Sequence, residues 1–309
     1  MTRSSPKRDI HKHITDQVIA AIEANPADPV MPWRRSPGQF SLPRNFVTGH
    51  PYAGINIVSL TTAATLRGFS LNLWASYKQW AHAGGQVRKG AKSQMVVFYK
   101  SFEVDPDPDD PDDDGKRRVA TPSNVFNIEE VEGIELPQPL TEPPDQIAKL
   151  SQVDNFVSNA RVPIMIDGDM AYYRYDTDTI HMPDEDLFTG TDTMNRQESF
   201  YATLLHELCH ATGHKKRLDR PRPLKFADTI YIEEELLVEL GSSILCSELG
   251  VTSDLRPDHA QYVHHWLKHL KDDPKAIFRA AARASEAVKY LHSLQPEQAA
   301  AAPVSEQRS

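Results

Sequence analysis

The chain has 309 residues, 39% of them hydrophobic, and 34 Lys+Arg against 43 Asp+Glu give a formal net charge of −9. That length and apolar share suit two modest globular domains, and no apolar run is long enough to cross a bilayer. Two cysteines, Cys209 and Cys246, exclude a disulfide framework and fit a reducing compartment; with no signal-peptide core at the start, a cytoplasmic location is expected.

The charge is unevenly spread. Met1 to Lys100 holds 13 Lys+Arg against 4 Asp+Glu, net +9, and the remainder holds 21 against 39, net −18. A basic first part joined to an acidic second part predicts two different kinds of partner, with a polyanion on the basic side.

Taken in order, Asp9 to Ala24 carries Ile10, Ile14, Val18, Ile19 and Ile22 at helical spacing. A turn-rich stretch, P-R-N-F-V-T-G-H-P-Y-A-G-I-N, then runs from Pro43 to Asn56 with Arg44, Asn45, Tyr52 and Asn56. Helices are expected over Ile55 to Arg67 and over Trp74 to Ala83, the second including Tyr77, Lys78 and Trp80. Gly84 to Lys92 has the glycine spacing of a hairpin with Arg88, Lys89 and Lys92 near its tip, and Gln94 to Phe102 reads as a strand. Cations mixed with aromatic and amide side chains fit single-stranded nucleic acid, the cations on phosphates and the rings on unpaired bases. Trp74, Tyr77 and Trp80 would serve equally well as core residues, so composition leaves both readings open.

Glu103 to Arg118 is an acidic, proline-rich insertion expected to be disordered; it lacks the glycine and distal glutamate spacing of an EF-hand. Val125 to Ile128 resumes as a strand. Pro137, Pro139, Pro143 and Pro144 mark a linker. Beyond it, a helix is expected over Ile147 to Asn159, followed by three short strands at Pro163–Asp167, Ala171–Tyr175 and Thr179–Met182.

Ser199 to Gly213 reads S-F-Y-A-T-L-L-H-E-L-C-H-A-T-G. On a helix, His206 and His210 lie one turn apart and can reach one ion, while Glu207 can address a water beside it. This is the H-E-x-x-H pattern of zinc peptidases. Lys216 stands where an all-histidine site would place its third ligand. Tyr231 to Leu249 is a second helical segment. There an acid in an otherwise buried helix requires compensation, so Glu235 is the expected third ligand, with Glu239 and Glu234 next in line. Glu239, one turn beyond Glu235, can accept the free N–H of a ligating histidine. His214 and Tyr231 are candidates for steadying an oxyanion, His214 also for a plain C-terminal helix charge. The expected ion is Zn²⁺, with Mn²⁺ as the alternative. Two more helices are expected over Asp258 to His292, one with Tyr262, Trp266 and Leu270 on its stripe, the other with Ile277, Ala281, Ala284 and Val288.

The acid spacing after H-E-x-x-H resembles the thermolysin-like zincins, or gluzincins. Over Asp9 to His292 the motifs P-R-N-F-V-T-G-H-P-Y-A-G-I-N, W-A-S-Y-K-Q-W, G-G-Q-V-R-K-G, V-V-F-Y-K, H-E-L-C-H-A-T-G-H-K-K-R-L-D-R and Y-I-E-E-E-L-L-V-E-L-G follow in that order. In them the chain resembles the ArdC antirestriction family, related to the N-terminal part of TraC-type plasmid primases. The resemblance implies an α+β protein of two domains. Residues 1–135 would bind single-stranded DNA, with the acidic insertion at about 103–118. Residues 136–146 would be a linker, 147–292 a gluzincin-like metallopeptidase domain, and 293–309 a disordered tail. It also implies a plasmid or phage setting in which incoming DNA is protected from host restriction. The sequence names no peptide substrate; a component of the host restriction machinery fits that setting. Occupancy of DNA with a purely structural metal is the competing expectation.

Overall fold

A computed structural model of the chain describes residues 9–24, 31–33, 42–104, 116–137, 146–191, 194–222, 228–252 and 260–296. The acidic insertion at 105–115, the linker at 138–145 and the tail beyond 296 lie outside the described residues.

Helix α1 (Ile10–Glu23) begins where the Asp9 side chain accepts the backbone N–H groups of His11 and Lys12 at 2.9 and 3.2 Å, a helix cap. Its apolar stripe buries Ile14, Val18 and Ile22. Strand β1 (Arg44–Asn45) leads to α2 (Ile55–Arg67), which ends on Gly68 at φ +67°, the left-handed conformation glycine adopts without strain. Then come β2 (Leu73–Ala75), α3 (Tyr77–His82), β3 (Gln86–Val87), β4 (Gln94–Glu103), β5 (Lys116–Asn127) and β6 (Val131–Glu132).

Two expectations are corrected here. The segment from Trp74 is a strand before it is a helix. Trp74 pairs with Asn45 on one side and Asn127 on the other, and Ser76 then opens α3 through a capping box with Gln79. The glycine-rich Gly84–Lys92 stretch is not a self-paired hairpin either, because β3 pairs with β6. Gly85 permits that approach: a Cβ there would sit 2.7 Å from side-chain atoms of Val131 and Ile134.

The main N-terminal sheet has the order β1-β2-β5-β4, with β4 and β5 antiparallel from Gln94↔Val125 out to Glu103↔Lys116. Helix α2 covers the inner part of the β4 edge. Asn56 donates to Val97 O at 2.8 Å and accepts from Val97 N–H at 2.7 Å, and the Ser59 hydroxyl donates to Met95 O at 2.8 Å. Backbone groups that would otherwise be an open edge are thus satisfied.

The second half opens with α4 (Gln146–Asn159) and a three-stranded sheet of β7 (Ile164–Ile166), β8 (Tyr172–Arg174) and β9 (Thr179–Met182), ordered β7-β9-β8. Helix α5 (Arg196–Ala211) starts at a capping box of Asn195 and Glu198, and α6 (Thr229–Leu249) at the Asp228 cap. Helices α7 (Ala260–Asp272) and α8 (Ala276–Ser293) complete the half; Trp266, Leu270, Ile277, Ala281, Ala284 and Val288 are all buried. No helix among the described residues is long and apolar enough to cross a membrane.

One hydrophobic core joins the halves, running from Ile14, Val18, Ile57 and Val97 to Leu205, Leu240 and Ile244. Gly241 lets α6 press on α5, since a Cβ at that position would lie 3.2 Å from Cys209 Sγ.

Candidate metal centre

Helix α5 presents His206 and His210 one turn apart, with ring centroids separated by 5.0 Å. Across from them, Glu235 on α6 places Oε2 3.8 Å from His206 Nε2 and Oε1 3.7 Å from His210 Nε2. One donor atom from each residue lies within 4.8 Å of the other two. Donors on a tetrahedral ion at about 2.1 Å sit about 3.4 Å from one another, so a small contraction suffices for ligation.

Both Nδ1 atoms are turned to acids. His206 Nδ1 is 3.8 Å from Glu239 Oε2, and His210 Nδ1 is 3.6 Å from Glu234 Oε1. A carboxylate behind each imidazole holds the ring and leaves Nε2 as the donor. Glu234 is itself gripped by the Arg220 guanidinium, at 2.9 Å from Nε and 2.6 Å from Nη2.

The acids also set the protonation. Burial works against a charged His210, yet Glu235, Glu234 and Glu207 outweigh it and push its pKa up to about 9. Burial likewise opposes the Glu234 carboxylate, but His210 and Arg220 bring it down to about 2. A pocket whose acids draw a proton onto a buried imidazole is one that favours a cation. The donor set and its charge therefore fit a divalent ion.

His206, Glu207, His210 and Glu235 open onto a cleft of about 480 Å³ that is also lined by Tyr172 and Tyr231. Strand β8 forms one wall, and among the described residues it pairs only with β9. Tyr172 lies flat against His181, with centroids 4.7 Å apart and an interplanar angle of 9°, and His181 Nδ1 is 2.9 Å from Asp167. The turn after β8 is fastened to the segment after α5. Asp178 accepts from Tyr173 at 2.7 Å and from both terminal nitrogens of Arg217 at 2.7 Å. The Arg222 guanidinium lies 4.8 Å over the Tyr175 ring.

Of the residues singled out from sequence, His206, Glu207, His210, Glu235, Glu239 and Tyr231 come together here. His214 does not share their contacts; it is buried 3.5 Å from Asp178, with its ring tilted against Tyr175. Arg217 and Arg220, which stand in the basic stretch from His214 to Asp228, and Asp178, in the turn between β8 and β9, have partners distant in sequence, so no local pattern marks them as site residues. Glu234 was seen only as a reserve ligand.

The basic half is less uniform. Lys78, Arg88, Lys89 and Lys92 are exposed, as is Arg44, which donates to Gly49 O at 3.2 Å. Arg88 reaches Glu129 O at 3.2 Å and lies 3.5 Å from Glu132. Asn45 bonds to Tyr52 and Gln79 at 3.3 Å, Tyr52 is buried, and the Asn56 amide is spent on β4. Trp74 and Trp80 are fully buried, whereas Tyr77 is half exposed.

The paired imidazoles facing a glutamate helix define a protein with a zincin-type metal centre behind an α+β N-terminal half. A family model described as a zincin-like metallopeptidase matches residues 151–283, and one described as the N-terminal domain of anti-restriction factor ArdC matches residues 8–126. The chain belongs to the ArdC family. The metal-free crystal structure of antirestriction protein ArdC from plasmid R388 superposes with a TM-score of 0.71 at 35% identity, covering 93% of this chain and 97% of that one. The Mn(II)-bound structure of the same protein gives 0.73 at 33%, covering 93% and 98%. The uncharacterized protein y4eC of Sinorhizobium fredii is 36% identical over 294 residues, 94% of this chain and 93% of that one. DNA primase TraC of Escherichia coli is 33% identical over 309 residues, but the chain spans only 28% of its length.

Proposed function

We propose that this chain is an antirestriction protein whose N-terminal half binds single-stranded DNA and whose C-terminal half holds a divalent ion, Zn²⁺ in the first instance, in a peptidase-type site. Its role would be to shield incoming plasmid or phage DNA from host restriction, acting on a protein that remains to be identified. The observation that carries the reading is the convergence of His206, His210 and Glu235 at the mouth of an open cleft, beside Glu207.

A divalent ion held by those three residues supplies Lewis acidity to a water and to a substrate carbonyl. Glu207 takes the proton from the attacking water and passes it to the leaving amine. Glu239 and Glu234 keep the two imidazoles aligned. The outer edge of β8, which has no strand partner among the described residues, would pair with an extended peptide, and Tyr231, which lines the same cleft, would donate a hydrogen bond to the developing oxyanion. The cleft of about 480 Å³ onto which the three residues and Glu207 open favours this over a purely structural metal.

Two substitutions separate the roles. Glu207→Gln should keep the metal and abolish peptide hydrolysis, and Glu235→Ala should lower metal content measured by atomic emission. Hydrolysis by the first variant, or full metal content in the second, overturns the corresponding assignment. A wild-type protein that holds metal but cleaves no peptide in a proteome-derived library supports the structural-metal alternative.

A further inference from the structure

Beyond the part covered by α2, the β4–β5 ribbon carries large apolar side chains in the open. Phe98 is 49% exposed, Tyr99 54%, Phe102 50% and Val119 51%. Side chains alternate along a strand, so Phe98, Lys100 and Phe102 share one face, and the register puts Thr121, Val119 and Arg117 across from them. The two phenylalanines stand about 13 Å apart, with the exposed Lys100 between them. The opposite face carries Tyr99.

Three or more exposed aromatic side chains on one ribbon are not needed for folding, because the sheet's packed residues, Val96, Val97 and Val125, lie nearer its base. Rings spaced by cations match a strand of unpaired bases joined by phosphates. Duplex DNA hides the faces of its bases, and a neutral apolar partner would leave the exposed Lys100 without a counter-charge. We infer that the outer β4–β5 ribbon, through Phe98, Lys100 and Phe102, is the surface on which single-stranded DNA stacks. This rests on the single-strand reading above and names its contact surface. The seven aspartates between Asp105 and Asp114 repel phosphates, so the proposed contact is confined to Phe98, Lys100 and Phe102.

The test uses the full chain and a fluorescein-labelled oligothymidylate of about 20 nucleotides, read by anisotropy from about 50 mM salt upward. Phe98→Ala/Phe102→Ala should weaken binding by roughly 30-fold or more with the salt slope unchanged. Lys100→Ala should lower the slope by roughly one unit. Phe98→Trp/Phe102→Tyr should retain affinity, which separates ring stacking from a loss of fold. Unchanged affinity in the double alanine variant overturns the proposal, as does a change in its sedimentation with DNA affinity intact, the signature of a protein interface. Failure of the wild type itself to bind the oligonucleotide removes the single-strand reading, and this surface with it.

Discussion

Arg220 is the residue whose removal should do most damage without touching a ligand. It is 9% exposed, and besides its two bonds to Glu234 it donates to Thr212 Oγ1 at 2.6 Å and to Cys209 O at 2.9 Å. Arg220→Met keeps the volume and deletes every donor. Glu234 is then left buried beside Glu235 with His210, 3.6 Å away, in place of the bidentate guanidinium. Losing one member of a buried pair costs about 3–5 kcal/mol, which for a chain of this size is a fall of roughly 5–8 °C in Tm. Replacing both partners with apolar side chains removes the stranded charge, so Arg220→Met/Glu234→Met should be more stable than Arg220→Met alone. Thermal unfolding of the metal-free protein, followed by circular dichroism, reads both numbers. An Arg220→Met variant that melts within a degree of wild type refutes the reasoning; so does a double variant that loses the sum of the two single losses.

Two further outcomes follow from the same site. Gly241→Val should separate α5 from α6, costing about 1–3 kcal/mol of stability and lowering metal affinity; unchanged affinity would show that the helix approach at Cys209 does not set the site. In the metal-free protein, the Glu234 carboxyl, depressed from 4.5 to about 2, contributes stability that is complete above pH 4.5 and lost as pH falls through 2, about 3 kcal/mol at most. The His210 imidazole, raised from 6.5 to about 9, contributes stability that is complete below pH 6.5 and lost as pH rises through 9. Urea unfolding of the metal-free protein should therefore give a maximum between pH 4.5 and 6.5. Saturating divalent ion should erase the alkaline decline, because ligation requires the neutral imidazole. A profile without that maximum, or an alkaline limb indifferent to metal, contradicts the charge balance described for the pocket.

The metal-helix pair was legible in the sequence because its logic is local. An i, i+4 histidine pair needs only helical geometry, and a mid-helix acid demands a partner wherever it is buried. The apolar stripes of α1, α7 and α8 were legible for the same reason. What escaped was non-local. Trp74 has the neighbours of a helix, but its strand is decided by Asn45 and Asn127. The two residues of β3 find their partners at Val131 and Glu132, which no glycine spacing announces. Arg220 looks like one more cation in a basic loop until Glu234 arrives from the next helix. The DNA-binding expectation was weakest for the same reason. Asn56 and Tyr52 are polar in sequence, but the fold spends one on a strand edge and buries the other, while the exposed rings of Phe98 and Phe102 read as ordinary strand residues.

The shared core also bears on how the halves cooperate. Ile14, Val18 and Ile22 of α1 lie in the same cluster as Leu240 and Ile244 of α6. Thr15 donates to Pro274 O at 2.7 Å, Gly54 N–H to the Ser285 hydroxyl at 3.0 Å, and the Ser243 hydroxyl to Trp33 O at 2.8 Å. Helix α6 thus bears Glu235 and Glu239 toward the metal centre and Leu240, Ser243 and Ile244 toward the N-terminal half. A fragment of residues 1–135 would expose the stripe of α1 and Ile57, each apolar side chain losing about 1.5–3 kcal/mol of burial. That is comparable with the whole stability of a small domain. The fragment should therefore unfold without a cooperative transition, and the full chain should melt in a single step that metal shifts upward. A fragment melting as sharply as the full chain, or a full chain in which metal moves only one of two transitions, would show that the halves fold independently. In that case DNA bound on one side could not reach the metal centre through α6.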